Sequence, residues 1–108
     1  MREVALEQYL TGKVERLQGL AWKWVSPGNA GVPDRLVIVP HEPCPCCGAQ
    51  ARVAAVELKA PGQKPRSLQH RQIERLQQAG LPAGWVSSHL GVDALLASLT
   101  KPVKGELH

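Results

Sequence analysis

Residues 53–60 read VAAVELKA, and the stretch carries two patterns at once. Side chains alternate across a β-strand, so Ala54, Val56, Leu58 and Ala60 share one face that is wholly apolar. Val53, Ala55, Glu57 and Lys59 share the other, and there two charged residues crowd the end where the strand leaves its sheet. The apolar face calls for a core. The charged end calls for a partner, because burying a carboxylate alone is costly.

Upstream, GVPDRLVIVP at 31–40 reads as a second buried strand from Asp34 to Val39, with a carboxylate at its mouth. The segment between the two strands, PHEPCPCCGAQ at 40–50, is too rich in proline and glycine to be anything but a loop. If the strands pair through that loop as an antiparallel hairpin, the start of one lies beside the end of the other. Asp34 then meets Glu57 and Lys59. Two carboxylates brought together repel unless a cation sits between them. Hard oxygen ligands beside a lysine suit Mg²⁺ or Mn²⁺ rather than a soft metal, and the lysine can orient a water against a phosphate. An edge ion pair between Lys59 and either carboxylate would use the same residues, and spacing alone leaves both readings open.

The flanking segments support a polar centre. Residues 3–18 have helical periodicity through Leu6, Leu10, Val14 and Leu17, broken at Gly19. At about 100° per residue, Glu3 falls in the middle of that apolar stripe and Glu7 at its edge. Gln69 repeats the arrangement, four residues before Ile73 and seven before Leu76. AWKWV at 21–25 reads as a strand ended by the turn SPGNAG. Ser67 is the expected N-cap of a helix from Leu68 to Ala79, closed by Gly80 and followed by Pro82. AGWVSS supplies a fourth strand and Val92–Leu99 a last helix. The order α-β-β-β-α-β-α predicts an α/β fold with a mixed sheet flanked by helices. It is expected to be one domain over residues 1–100, with 41–50 a cysteine-rich loop insertion and 101–108 a flexible tail.

Composition narrows the setting. The 108 residues contain no phenylalanine, so the core must rest on Leu, Val, Ala, Ile and three tryptophans. No apolar run reaches the length of a membrane span. Glu3 and Glu7 interrupt the N-terminus where a signal peptide would need an apolar stretch. Three cysteines within four positions cannot make a disulfide framework, and the chain is expected to be cytoplasmic. The net charge is +4, and residues 61–108 hold six Lys/Arg against three Asp/Glu. The densest block, Lys64, Arg66, Arg71 and Arg75, is opposed only by Glu74. Such a stripe suits a phosphate backbone, and equally a solvated helix face.

The strings GVPDR, VELKAPGQKP and LQHRQIERLQQAG, in this order and spacing, resemble the virus-type replication-repair nuclease (VRR-NUC) domain, a compact branch of the PD-(D/E)XK nucleases. The resemblance implies a restriction-endonuclease-like core and a Mg²⁺- or Mn²⁺-dependent endodeoxyribonuclease. It implies that Asp34 and Glu57 bind the metal with the backbone carbonyl of Leu58. Lys59 matches the catalytic lysine and Gln69 a glutamine that positions the catalytic site. Glu3 matches a further metal-site glutamate, with Glu7 the alternative. Lys23, Ser26, Arg35, Lys64, Arg66 and Arg71 are the expected DNA contacts. The substrate class implied is branched DNA, most specifically the four-way (Holliday) junction cut by stand-alone phage or prophage members in the bacterial host cytoplasm. Cutting two strands symmetrically calls for two sites and hence a homodimer. Flap cleavage, or a non-catalytic DNA-binding module with a zinc-stabilised loop, are the alternatives. The departure from the family is the cysteine loop, where family members make a short turn. Its C-x-x-C-G spacing matches a zinc knuckle, with Cys44, Cys46, Cys47 and His41 as candidate ligands of a structural Zn²⁺, in one chain or shared across a dimer.

Overall fold

The structure, a computed structural model, describes residues 3–48 and 50–101; the expected tail lies, beyond Lys101, outside the described residues. Seven elements follow one another: α1 (Glu3–Arg16), β1 (Leu20–Lys23), β2 (Arg35–Pro40), β3 (Ala51–Leu58), α2 (Ser67–Gln78), β4 (Ala83–Val86) and α3 (His89–Thr100). This is the order read from the sequence. The strands form one mixed sheet in the order β1-β2-β3-β4. The first three run antiparallel, and β4 runs parallel to β3. A parallel neighbour needs a crossover connection, and α2 provides it.

The alternation in β3 decides which helix covers which face. Ala54, Val56 and Leu58 join Val37 and Val39 of β2 in the main core, under Leu6, Leu10 and Val14 of α1 and Val92, Leu96 and Leu99 of α3. Each fully buried Leu or Val there stabilises the fold by about 1.5–3 kcal/mol relative to exposure. No α2 residue belongs to this cluster. The α2 helix lies over the opposite face, where Gln69 bonds to Glu57. Polar contacts tie α1 to α3: the Tyr9 hydroxyl donates to Asp93 at 2.7 Å, Lys13 pairs with the same carboxylate, and the Tyr9 ring stacks on His89.

The helix ends show where local chemistry departs from expectation. Gln18, not Gly19, takes the left-handed conformation after α1, with φ of 62°. Gly19 N–H reaches back to the Val14 carbonyl and Gln18 N–H to that of Glu15, a Schellman arrangement. Glycine is needed one residue later because a Cβ on Gly19 would lie 2.4 Å from the Ile38 carbonyl oxygen. Leu17 is therefore outside the helix and exposed. At α2, Ser67 is the first helical residue and Arg66 is the N-cap, one position earlier than expected. The capping group is the Gln69 side chain, whose Oε1 accepts the Arg66 N–H at 2.8 Å. Strand β1 stops at Lys23, short of Val25, although Trp24 N–H still donates to the Asp34 carbonyl at 2.8 Å. Among the described residues no helix is long and apolar enough to cross a membrane.

Candidate active site

The hairpin predicted from residues 34–60 is present. Register pairs Arg35 with Val56, and continuing it by one residue sets Asp34 opposite Glu57. The ladder opens at that point. Asp34 N–H donates to Glu57 Oε1 at 3.2 Å, so the side chain of one strand substitutes for a main-chain partner on the other. Lys59 Nζ lies 3.5 Å from Glu57 Oε2, and Gln69 Nε2 donates to the same oxygen at 3.1 Å. Glu57 is buried, and Asp34 and Lys59 are half-buried. The structure thus brings together Asp34, Glu57, Lys59 and Gln69, four residues separated by up to 35 positions in the chain.

Electrostatics at this pair are unbalanced. Burial pushes the Asp34 carboxyl above its ordinary value; the Leu58 N–H facing it and the charge of Lys23 pull it part of the way back, and Glu3 adds to the rise. Burial likewise raises Glu57, helped by the charge of Asp34 and opposed by Lys59. Asp34 Oδ1 is buried and accepts no hydrogen bond among the described residues. An orphaned carboxylate oxygen facing a second carboxylate is the donor set a hard divalent ion takes. The Leu58 N–H points toward β2, and the N–H and C=O of one strand residue point the same way, which turns the Leu58 carbonyl to the same side. Among the described residues no three or more acidic, histidine or cysteine side chains gather around one point. Mg²⁺ commonly takes only one or two carboxylates and keeps several waters, so the pair with a carbonyl fits it.

The raised carboxyls set a pH dependence. The folded chain holds protons on Asp34 and Glu57 at pH values where the unfolded chain has lost them. Their contribution to stability in the absence of divalent ions is therefore fully present below the ordinary carboxylate range and is lost as pH rises through the raised values. Asp34→Asn removes one of the two charges. In EDTA its melting temperature should exceed that of the natural chain by a margin that widens from pH 4 towards neutrality and closes when Mg²⁺ is added. A margin that shrinks with rising pH would contradict this account.

The remaining predicted residues divide. Glu3 is exposed and acts on Asp34 through its charge, without completing a three-carboxylate cluster. Glu7, the alternative, is occupied by an ion pair with Arg35. Arg35, an expected DNA contact, is instead 8% exposed, beneath α1. Its position explains this, since Arg35, Val37 and Val39 alternate onto the core face. Lys23, Lys64, Arg66, Arg71 and Arg75 are all exposed, and Lys23 sits close enough to act on Asp34. Ser26 shapes the loop before Asp34: its hydroxyl accepts from Asn29 Nδ2 and its carbonyl from Asn29 N–H, both at 3.1 Å.

One residue escaped the sequence reading. Gln72, buried on α2, donates from Nε2 to the Ala30 carbonyl at 2.9 Å and accepts from Arg75. Beside it, Gly31 with φ of +85° packs so closely on Leu68 that a Cβ would fall 2.8 Å from Leu68 Cγ. Together they pin the loop that leads into Asp34 against α2. Its signal was the one-turn spacing from Gln69, next to Ile73 on the same stripe.

The cysteine loop closes the other end of the hairpin. Cys44 is half-buried, Cys46 and Cys47 are exposed, and none of the three forms a disulfide among the described residues. The main-chain N–H groups of Cys46 and Cys47 pull the Cys44 thiol down to about 7.

No protein-family model matches the chain. It is 41% identical over 80 residues to "Putative nuclease p44" of Acyrthosiphon pisum secondary endosymbiont phage 1, covering 74% of this chain and 76% of that protein. A solved structure described as a VRR_NUC domain superposes with a TM-score of 0.71 at 32% identity, covering 87% of this chain and 92% of the other. Sequence likeness across three quarters of both proteins, and a shared fold across nearly all of the second pair, agree with the opposed carboxylates and lysine. On these grounds the chain belongs to the VRR-NUC nuclease family.

Proposed function

We propose that this chain is a Mg²⁺- or Mn²⁺-dependent endodeoxyribonuclease that cuts branched DNA, in particular four-way junctions, as a homodimer. The observation that carries the reading is the buried Asp34 Oδ1, which accepts no hydrogen bond among the described residues, on a residue bonded through its N–H to Glu57, with Lys59 on the far carboxylate oxygen of Glu57. Asp34, Glu57 and the Leu58 carbonyl would hold the ion. When bound, it would polarise the scissile phosphate and lower the pKa of the attacking water.

The chain's own residues supply the rest. Lys59 offsets charge developing on the phosphate and orients the water. Gln69 holds Glu57 in place from the start of α2, leaving its other oxygen toward Asp34. Lys23, Lys64, Arg66 and Arg71, all exposed, take the DNA backbone together with Ser26. Arg35 is left out of this set because it is buried. Two copies would place two such sites on the two strands of a junction.

The test is incubation of end-labelled four-way junction, flap and linear duplex with the protein in Mg²⁺, Mn²⁺ or EDTA. Metal-dependent paired incisions in the junction, lost in Asp34→Ala, are expected. Preferential cutting of the flap would move the substrate within the same class. Tight binding without incision in either metal would replace the enzyme with a DNA-binding module.

A further inference from the structure

The loop that closes the β2–β3 hairpin carries chemistry that phosphodiester cleavage does not use. Six residues of β2 separate its neck from the carboxylates, about 20 Å at the rise of a strand. Cys44 and Cys47 have the spacing of a metal knuckle, and the backbone between them is folded accordingly. Gly48, at φ of +75°, lets the chain reverse, and its N–H donates to the Cys44 carbonyl at 2.8 Å. The N–H groups of Cys46 and Cys47 both turn onto the Cys44 sulfur. Amides folded around one sulfur stabilise a thiolate, the form that binds metal. At the neck, His41 N–H donates to the Gln50 carbonyl at 3.0 Å, which holds the loop closed against the sheet.

The loop is incomplete as a site in one chain. A structural zinc takes four ligands in a tetrahedron, and no three candidate side chains surround one point among the described residues. His41, expected as a fourth ligand, has its ring nitrogens 3.0 Å from the Glu42 carbonyl and 2.7 Å from that of Lys101. Adjacent Cys46 and Cys47 fit one tetrahedron awkwardly, since neighbouring residues diverge. Each chain therefore offers two cysteines at knuckle spacing, on an exposed loop.

We propose that Cys44 and Cys47 form half of a four-cysteine site for Zn²⁺, completed by the same two residues of a second copy of this chain. The interface is then twofold and the ion sits on its axis. Binding would displace protons from the four thiols, so the ion itself links the two copies.

The experiment is metal content and solution mass of the full chain purified in the presence of zinc, with Co²⁺ exchanged in for spectroscopy. The expected result is one ion per two chains at twice the chain mass, with sulfur-to-cobalt charge-transfer absorption. Cys44→Ser and Cys47→Ser should each lose the ion and the doubled mass, while Cys46→Ser keeps both. One ion per chain, no ion, or loss confined to Cys46→Ser would overturn the proposal. Asp34→Asn must keep zinc and mass, and Cys47→Ser must still nick DNA in Mg²⁺, so failure here is told apart from failure of the cleavage reading.

Discussion

Glu57→Ala and Lys59→Ala are each expected to slow metal-dependent DNA cleavage by at least about 10²–10³-fold, the loss typical when one preorganised group acting on transition-state charge is removed. Both proteins should stay folded, because neither side chain belongs to the main core. The two variants fail for different reasons. In the proposed reading, losing Glu57 would take away half of the ion's carboxylate pair. Without Lys59 the ion can still bind, and the deficit lies in the chemical step. Gln69→Ala separates the cases further: it leaves the ligands intact and frees Glu57 to move, a change that typically weakens metal binding by about 10–100-fold. Single-turnover rates measured across a Mg²⁺ titration should show saturating metal restoring Gln69→Ala and leaving Lys59→Ala slow. Full activity in Lys59→Ala would remove the lysine from the chemistry.

The second large effect concerns stability. Glu7→Ala leaves the Arg35 guanidinium without its carboxylate in a position 8% exposed, where Nε already has no partner among the described residues. Breaking a fully buried pair costs about 3–5 kcal/mol; Glu7 keeps 41% of its side chain in water, so about 2–3 kcal/mol is expected here. In a domain of this size that lowers the melting temperature by about 10–20 °C. The double change Glu7→Gln with Arg35→Met removes both charges together and should lie within about 1 kcal/mol of the natural chain, or above it. Urea unfolding of the three proteins decides. An unaffected Glu7→Ala would show that the guanidinium finds water where the structure shows protein.

Arg35 also shows where sequence reading succeeds and where it stops. The alternation that placed Ala54, Val56 and Leu58 in the core, and Glu57 on the other face, is a local property, legible residue by residue. The same alternation carries Arg35 onto the face of Val37 and Val39. A buried arginine, however, is admissible only if a carboxylate waits for it on another element, and α1 lies 19 residues before β2. Such a partnership is decided by packing. The pairing of Asp34 with Glu57 was legible because a hairpin has one topology. Gln72 and the capping role of Gln69 were not, since both depend on how α2 is rotated over the sheet. The shift from Gly19 to Gln18 at the end of α1 has the same origin: the glycine is reserved for a close approach to β2 that no local pattern reports.

The two ends of the Gln69 amide have a consequence for how substrate is sensed. Its oxygen holds the main chain of Arg66, whose side chain faces solvent beside Lys64, and its nitrogen holds Glu57. A phosphate that tugs Arg66 must stretch this strap or drag the glutamine with it. If Arg66 grips the nucleic acid and Glu57 holds the ion, as proposed, grip and ligand posture are mechanically linked, and poorly seated DNA would leave the ion cradle slack.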